Sequence, residues 1–126
     1  MTKSNQSEEH AMMNVRITRV LTACHWICRF EELHTDIVTF LPGRRGIWAV
    51  ESERRGSAHG IHRNATRNER HGACGIVFVT ESESVATSIR RIVDALPGSI
   101  RAKTVVVTIE DFTPEFVRGV MERETT

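Results

Sequence analysis

Cys24, His25 and Cys28, followed further on by His71 and Cys74, give the chain a C-x3-C pair and an H-x2-C pair. Thiolate and imidazole donors of this kind suit tetrahedral zinc. Cys74, three residues after a histidine, would also serve as a nucleophile with its base if the two came within hydrogen-bond reach. Against both readings stands the tendency of free cysteines to pack in cores, and Cys74 opens an apolar run, "ACGIVFVT" (73–80). A different chemistry lies in "ESERRGSAHGIHRNATRNERHGACG" (51–75), rich in Arg, His and Gly and nearly free of apolar side chains. Residues 43–71 hold seven Arg against three Glu, a balance of +4, whereas the rest of the chain holds ten basic and thirteen acidic residues, or −3. Any anion-attracting surface is therefore local. Such a stretch can track nucleic-acid phosphates. Single-strand binders usually add aromatic stacking faces, and no Phe, Tyr or Trp falls within it.

Small anions are the remaining class. Arg54, Arg55, Gly56 and Ser57 leave an apolar segment as "RRGS", and Gly98, Ser99, Arg101 and Lys103 repeat the recipe in "PGSIRAK" (97–103). Glycine lets backbone N–H groups approach a phosphate, serine adds a hydroxyl, and arginine adds a bidentate cation. Neither stretch is a Walker or Rossmann fingerprint. Solvated turns have the same composition, so the two readings stand side by side. Fifteen of the 17 basic residues are Arg. That bias fits anion recognition as well as it fits the codons of a GC-rich genome.

The elements that must position these residues follow from periodicity. "NVRITRVLTA" (14–23) alternates apolar with Arg and Thr and reads as a strand. Phe30, Leu33, Ile37, Val38 and Leu41 fall on one helical face that ends at Pro42-Gly43, while the β-branched "TDIVTF" argues for a strand instead. "GIWAVES" (46–52), "ACGIVFVT" and "KTVVVTIED" (103–111) read as strands. "ESESVATSIRRIVDALPG" reads as a helix with a Thr80/Glu83 capping box, and Thr113-Pro114 opens a last helix. This order predicts an α+β domain of the split-βαβ, ferredoxin-like kind. It would have an antiparallel sheet, two helices on one face, a long basic connection over 52–72 and a C-terminal helix. Residues 1–13 read as a flexible tail, and 14–126 as the domain. A chain of 126 residues, 40% hydrophobic and 26% charged, is one ordinary globular domain. The absence of signal-peptide and spanning patterns points to the cytoplasm.

Strand, helix, strand, basic loop, strand, helix, short loop, strand resembles the plan of the PII-like signalling proteins over about Val15 to Ile109. "AVESERRGSAHG" is similar to the base of that family's T-loop, and "IVFVTESESVATSIRRIV" to its third strand and second helix. The closer likeness is to the bicarbonate-transporter- and carboxysome-associated branches. The resemblance implies a non-enzymatic homotrimer with an adenine nucleotide (ADP, AMP, ATP or cyclic AMP) bound between subunits, with bicarbonate a further candidate ligand and no metal. Arg54, Arg55, Gly56 and Ser57 would wrap the nucleotide, and Gly98, Arg101 and Lys103 would meet its phosphates. The loop would signal to a target protein in inorganic-carbon metabolism, such as a transporter or carboxysome component. The chain departs from the pattern in having no Tyr for uridylylation, no matching Gln near Ala58-His59, and no Gly-rich run in "PGSIRAK". Nucleic-acid binding by the arginines, and a metal-binding or metal-sensing role for the Cys and His residues, remain the alternatives. On the nucleotide reading, charge reversal at Arg55 or Arg101 should weaken calorimetric binding of the nucleotide without unfolding the protein. Unchanged binding in both variants would remove these sites.

Overall fold

The computed structural model describes residues 2–30 and 35–125, with side chains in the first helix described from Glu8 onward. It is an α+β chain built on a five-stranded mixed sheet. Helix α1 (Thr2–Ala23) leads into strands β1 (Ile27–Phe30), β2 (Ile37–Phe40) and β3 (Ile47–Glu53). Helix α2 (Ala58–Arg70), strand β4 (Gly75–Thr80), helices α3 (Glu83–Asp94) and α4 (Gly98–Arg101), and strand β5 (Thr104–Thr108) follow. Helix α5 (Pro114–Phe116) runs directly into π-helical turns over Val117–Glu122.

The strands lie in sequence order, β1-β2-β3-β4-β5. The first three are joined antiparallel, whereas β3, β4 and β5 are parallel and are linked by crossovers through α2 and through α3–α4. The antiparallel split-βαβ sheet expected from the sequence is therefore not the arrangement adopted. Two apolar clusters sandwich the sheet. On one face Met13, Ile17 and Leu21 of α1 meet Trp48, Val50, Val77 and Val79, closed by Phe112, Val117 and Met121. On the other, Ile61 and Ala65 of α2 and Ile89 and Val93 of α3 cover Ala49, Ile76 and Phe78. Parallel strands covered on both faces become apolar throughout, and every residue of β4 is buried.

Two segments differ from their sequence reading, and a third decides between two. Residues 14–23 form a helix, not a strand, and the helix extends back through the expected tail. Met13, Ile17, Leu21 and Cys24 are all buried, at spacings of four, four and three, a helical stripe that the β-branched residues between them obscure. Its end is marked by His25 at a positive φ of 69° and by Trp26 N–H donating to Leu21 O at 2.9 Å. Second, of the two readings given for 30–41 the strand holds rather than the helix: Ile37–Phe40 is β2, with Ile37 to Thr39 buried, and Phe30 ends β1. Leu33, part of the helix reading, lies outside the described residues. Third, most of the basic connection 52–72 is α2. Ser57 caps it by accepting from Gly60 N–H at 3.1 Å, and Gly72, at φ 83°, closes it. Its apolar stripe is only Ile61 and Ala65 with Asn68, too thin to register against ten polar or small neighbours. The later helix is capped by Ser82, whose hydroxyl accepts from Val85 N–H at 3.3 Å, rather than by Thr80, while Thr113 caps the last helix as expected. Among the described residues no helix is long and apolar enough to cross a membrane.

Gly56 joins β3 to α2 at φ 66°, and a Cβ there would lie 2.6 Å from Ile89 Cγ1. Gly72 has φ 83° but open space around it. Gly56→Ala should cost about 2–4 kcal/mol, from a strained backbone plus a core clash. Gly72→Ala should cost about 1 kcal/mol, from the backbone alone. Urea denaturation of the two variants checks the order; equal losses would mean that the contact with Ile89 relaxes freely.

Candidate functional site

Strand pairing brings Ile37 opposite Val50, so Asp36, one residue before β2, lies beside Glu51 on β3. Both stand at the end of the sheet where the parallel strands finish, the usual place for a ligand in an open α/β sheet. Alternation along β3 sends Trp48 and Val50 toward α1 and Ala49 toward α2. Continuing the alternation, Ser52 reaches Asn14 of α1, and Glu51 and Glu53 reach Asn68 and Asn64 of α2.

The two acidic residues are bound to each other through the main chain. Asp36 N–H donates to Glu51 Oε1 at 3.2 Å, and Ser52 N–H donates to Asp36 Oδ2 at 2.9 Å. Asn68 Nδ2 donates to Glu51 Oε2 at 2.9 Å, with Arg67 3.7 Å from the same oxygen. His10 Nε2 lies 3.0 Å from Asp36 Oδ1. Arg54, at the end of β3, is paired with Glu9 of α1 and lies 3.6 Å from Glu81. Residues 9, 10 and 14 of α1 thus each touch a residue of this end of the sheet.

Glu51 is only 3% exposed. Burial, reinforced by the Asp36 carboxylate, pushes its carboxyl up to about 7. Glu53 is also raised, chiefly by burial. The hydrogen bond to Asp36 raises the His10 imidazole above its ordinary value, against the opposing effect of its own burial. Asp36 remains about a quarter exposed, at 23%. The group is open on one side and closed under α2 on the other.

The outward face of α2 adds charge. His59, His62, Arg63 and Arg70 are exposed on it, with Arg55 before the helix and His71 after it. Its one acid, Glu69, is held by Lys103 Nζ at 2.6 Å. Arg63 is close enough to Glu53 to favour its ionised form.

The residues singled out from sequence do not gather in one chain. Arg54, Arg55, Gly56 and Ser57 follow β3 at the carboxyl end of the parallel strands. Gly98, Arg101 and Lys103 precede β5 at the opposite end, since Thr104 pairs with Ile76 at the start of β4 and Thr80 with Glu53 at its finish. Ser57 is occupied as a helix cap, Arg101 donates to Asp94 O at 3.3 Å, and Lys103 also reaches Ala73 O at 3.3 Å. "PGSIRAK" is largely the helix α4. Cys24, Cys28 and Cys74 are free thiols, each raised by burial, which disfavours the thiolate needed by a nucleophile or a zinc ligand. Among the described residues no group of three or more His, Cys, Asp or Glu side chains is arranged to hold a metal ion. Asp36, Glu51, Glu53 and His10 were not singled out by sequence reasoning. The available signal was a pair of glutamates, "ESE", closing a strand that is otherwise apolar.

Comparison with protein-family models, with curated proteins and with solved structures finds no match.

The Glu51 carboxyl has a folded value of about 7 against an ordinary 4.5. A group raised in this way contributes its full stability below about pH 4.5 and loses it as pH climbs through 7. His10 and Glu53 shift in the same direction. Urea denaturation at about pH 5 and about pH 8 should show the wild type weakening by roughly 3 kcal/mol. Glu51→Gln should flatten most of that slope. An unchanged slope in the variant would place the pH dependence elsewhere.

Proposed function

We propose that the chain hydrolyses phosphodiester bonds of nucleic acid with the help of a divalent cation held by Asp36 and Glu51. The observation that carries this reading is the convergence of these two carboxylates from neighbouring antiparallel strands, at the ligand-accepting end of the sheet. A hard cation such as Mg2+ is commonly held by one or two carboxylates, its remaining positions filled by water and substrate phosphate. Asp36, about a quarter exposed, would supply the accessible oxygen, and Glu51, whose oxygens already accept from Asp36 N–H and Asn68, would bind through their remaining lone pairs. His10, 38% exposed, is the partner of Asp36 Oδ1 best able to swing away as a cation arrives. The exposed basic face of α2 supports a polyanionic substrate, because Arg63 lies close enough to Glu53 to favour its charge and Arg55 follows β3 directly.

The cation would polarise a phosphoryl oxygen and acidify a bound water. In the step, the water oxygen bonds to phosphorus as the bond from phosphorus to the leaving ester oxygen breaks. Glu53, half-buried, on the same side of β3 as Glu51 and with its carboxyl raised by burial, would take the water's proton. The leaving oxygen collects a proton from solvent. Arg63, close enough to Glu53 to favour its charge, would offset negative charge added there, while Arg54 is already paired with Glu9 and Glu81.

The adenine-nucleotide switch, with its trimer, target protein and cytoplasmic setting, is the competing reading. It requires Arg54–Ser57 of one copy to meet Gly98–Lys103 of another, because one chain keeps them at opposite ends of its parallel strands. Saturable binding of ADP or ATP, lost on charge reversal at Arg101, would select it.

The deciding experiment is cleavage of labelled single-stranded and duplex oligonucleotides with Mg2+ or Mn2+. Asp36→Asn and Glu51→Gln should each slow cleavage by roughly 100-fold or more, which is about 2.7 kcal/mol of barrier. Thermal unfolding should show both variants folded. A wild type without cation-dependent cleavage, or folded variants at wild-type rate, would refute the assignment.

A further inference from the structure

The flank of the molecule between α1 and the edge strand β1 carries a groove of about 440 Å³, lined by Val15, Thr18, Arg19, Thr22, Ala23 and Phe30. Its size falls in the range of small-molecule sites. Large apolar side chains are unusually exposed around it: Phe30 is 55% exposed, Val15 48% and Met12 69%. Among the described residues few such groups lie outside, so Val15 and Phe30 lining one groove mark a contact surface.

We propose that this groove receives an unstacked base of the nucleic-acid strand, with the ring of Phe30 as its stacking face. The inference rests on the nucleic-acid reading above and specifies where the strand runs. Three observations favour a base. Phe30 pairs in register with Ile37, the residue after Asp36, so the Phe30 end of the groove lies toward the carboxylates, while Thr22 and Ala23 line it toward the other end of the sheet. Helix α1 spans both features: Asn14 bonds Ser52 beside Asp36, and Val15, Thr18 and Arg19 line the groove within about a turn. Four residues of helix advance about 6 Å, close to the spacing of successive nucleotides in an extended strand. Finally, Arg16 and Arg19 are exposed along this face of α1, which complements phosphates on either side of a seated base. A second copy of the chain would instead bring these arginines toward their own equivalents. Aromatic stacking of a base tolerates any sequence, because every base has a π-face.

The test uses the full chain without divalent cation, so that binding is read apart from cleavage. The two native tryptophans, Trp26 and Trp48, are each 2% exposed. A Phe30→Trp variant therefore places one accessible indole at the groove. Its fluorescence should be quenched by a single-stranded oligonucleotide, with affinity at or above wild type. Phe30→Ala should bind the same oligonucleotide about 5- to 100-fold more weakly, and Phe30→Leu should not restore it. An unquenched Trp at saturation, or wild-type affinity in the Ala or Leu variant, overturns the proposal. So does a concentration-dependent dimer that Phe30→Ala abolishes. Loss of this inference alone would leave cation-dependent cleavage sensitive to Asp36→Asn. Loss of the catalytic reading alone would leave quenching intact with cleavage absent or indifferent to Asp36.

Discussion

The carboxyl group of Glu51 lies beneath α2, next to a second acid, with almost none of its surface in water. A group buried in this way is costly unless its oxygens are satisfied and its charge is offset. The surrounding architecture meets that requirement. Asp36 is turned so that its main-chain N–H points at one oxygen, and α2 is seated so that Asn68 and Arg67 meet the other. Thr35 donates in turn to Asn68 Oδ1 at 2.5 Å, which fixes which end of that amide faces the acid. The start of β2, the end of β3 and the last turn of α2 are thereby held in one register. The Asp36 main chain satisfies one oxygen of Glu51, but its carboxylate, a like charge, raises the cost of burying that acid. The proposed cation would remove that conflict.

What was legible in the sequence tracks how much apolar surface each segment buries. The strands β3, β4 and β5 and the helix α3 bury continuous or clearly periodic apolar sets, and their readings hold. Helix α1 fails as a strand because Val15 and Val20, conspicuous in the text of the sequence, are not the residues that define its buried face. Val15 is exposed, while Met13, Ile17 and Leu21 face the sheet. Helix α2 carries too few apolar residues to announce itself, and its boundaries rest on one serine cap and one glycine at positive φ. Strand order was less accessible still. Pairing between β2 and β3, and the parallel run that follows, depend on which crossovers pack on which face, and no local pattern encodes that choice.

The candidate site was missed for a related reason. Its residues come from four separate segments of sequence, and only the sheet register brings Asp36 to Glu51. The arginine-rich stretch did mark the right neighbourhood, because it follows β3 directly. Its chemical meaning changes once it is helical. Side chains that alternate freely in a loop become sorted by α2 into an inner row, Ile61, Ala65 and Asn68, and an outer basic row. That stretch has no aromatic side chain, but Phe30 is exposed on β1, opposite Ile37 and next to Asp36 in register.

The sequential order of the strands has a consequence for how the chain assembles. Each strand lies against the one synthesised just before it, so no strand has to wait for a distant segment to be inserted between it and its neighbour. In a split-βαβ sheet, by contrast, late strands must slot in between or beside early ones, closing longer loops first. The ladder here can lengthen by one rung at a time, with α2 and α3 folding down as each parallel strand docks. Sequential order limits the loop closed at each step to the single connection between neighbouring strands, although the two parallel pairings still wait on their crossover helices.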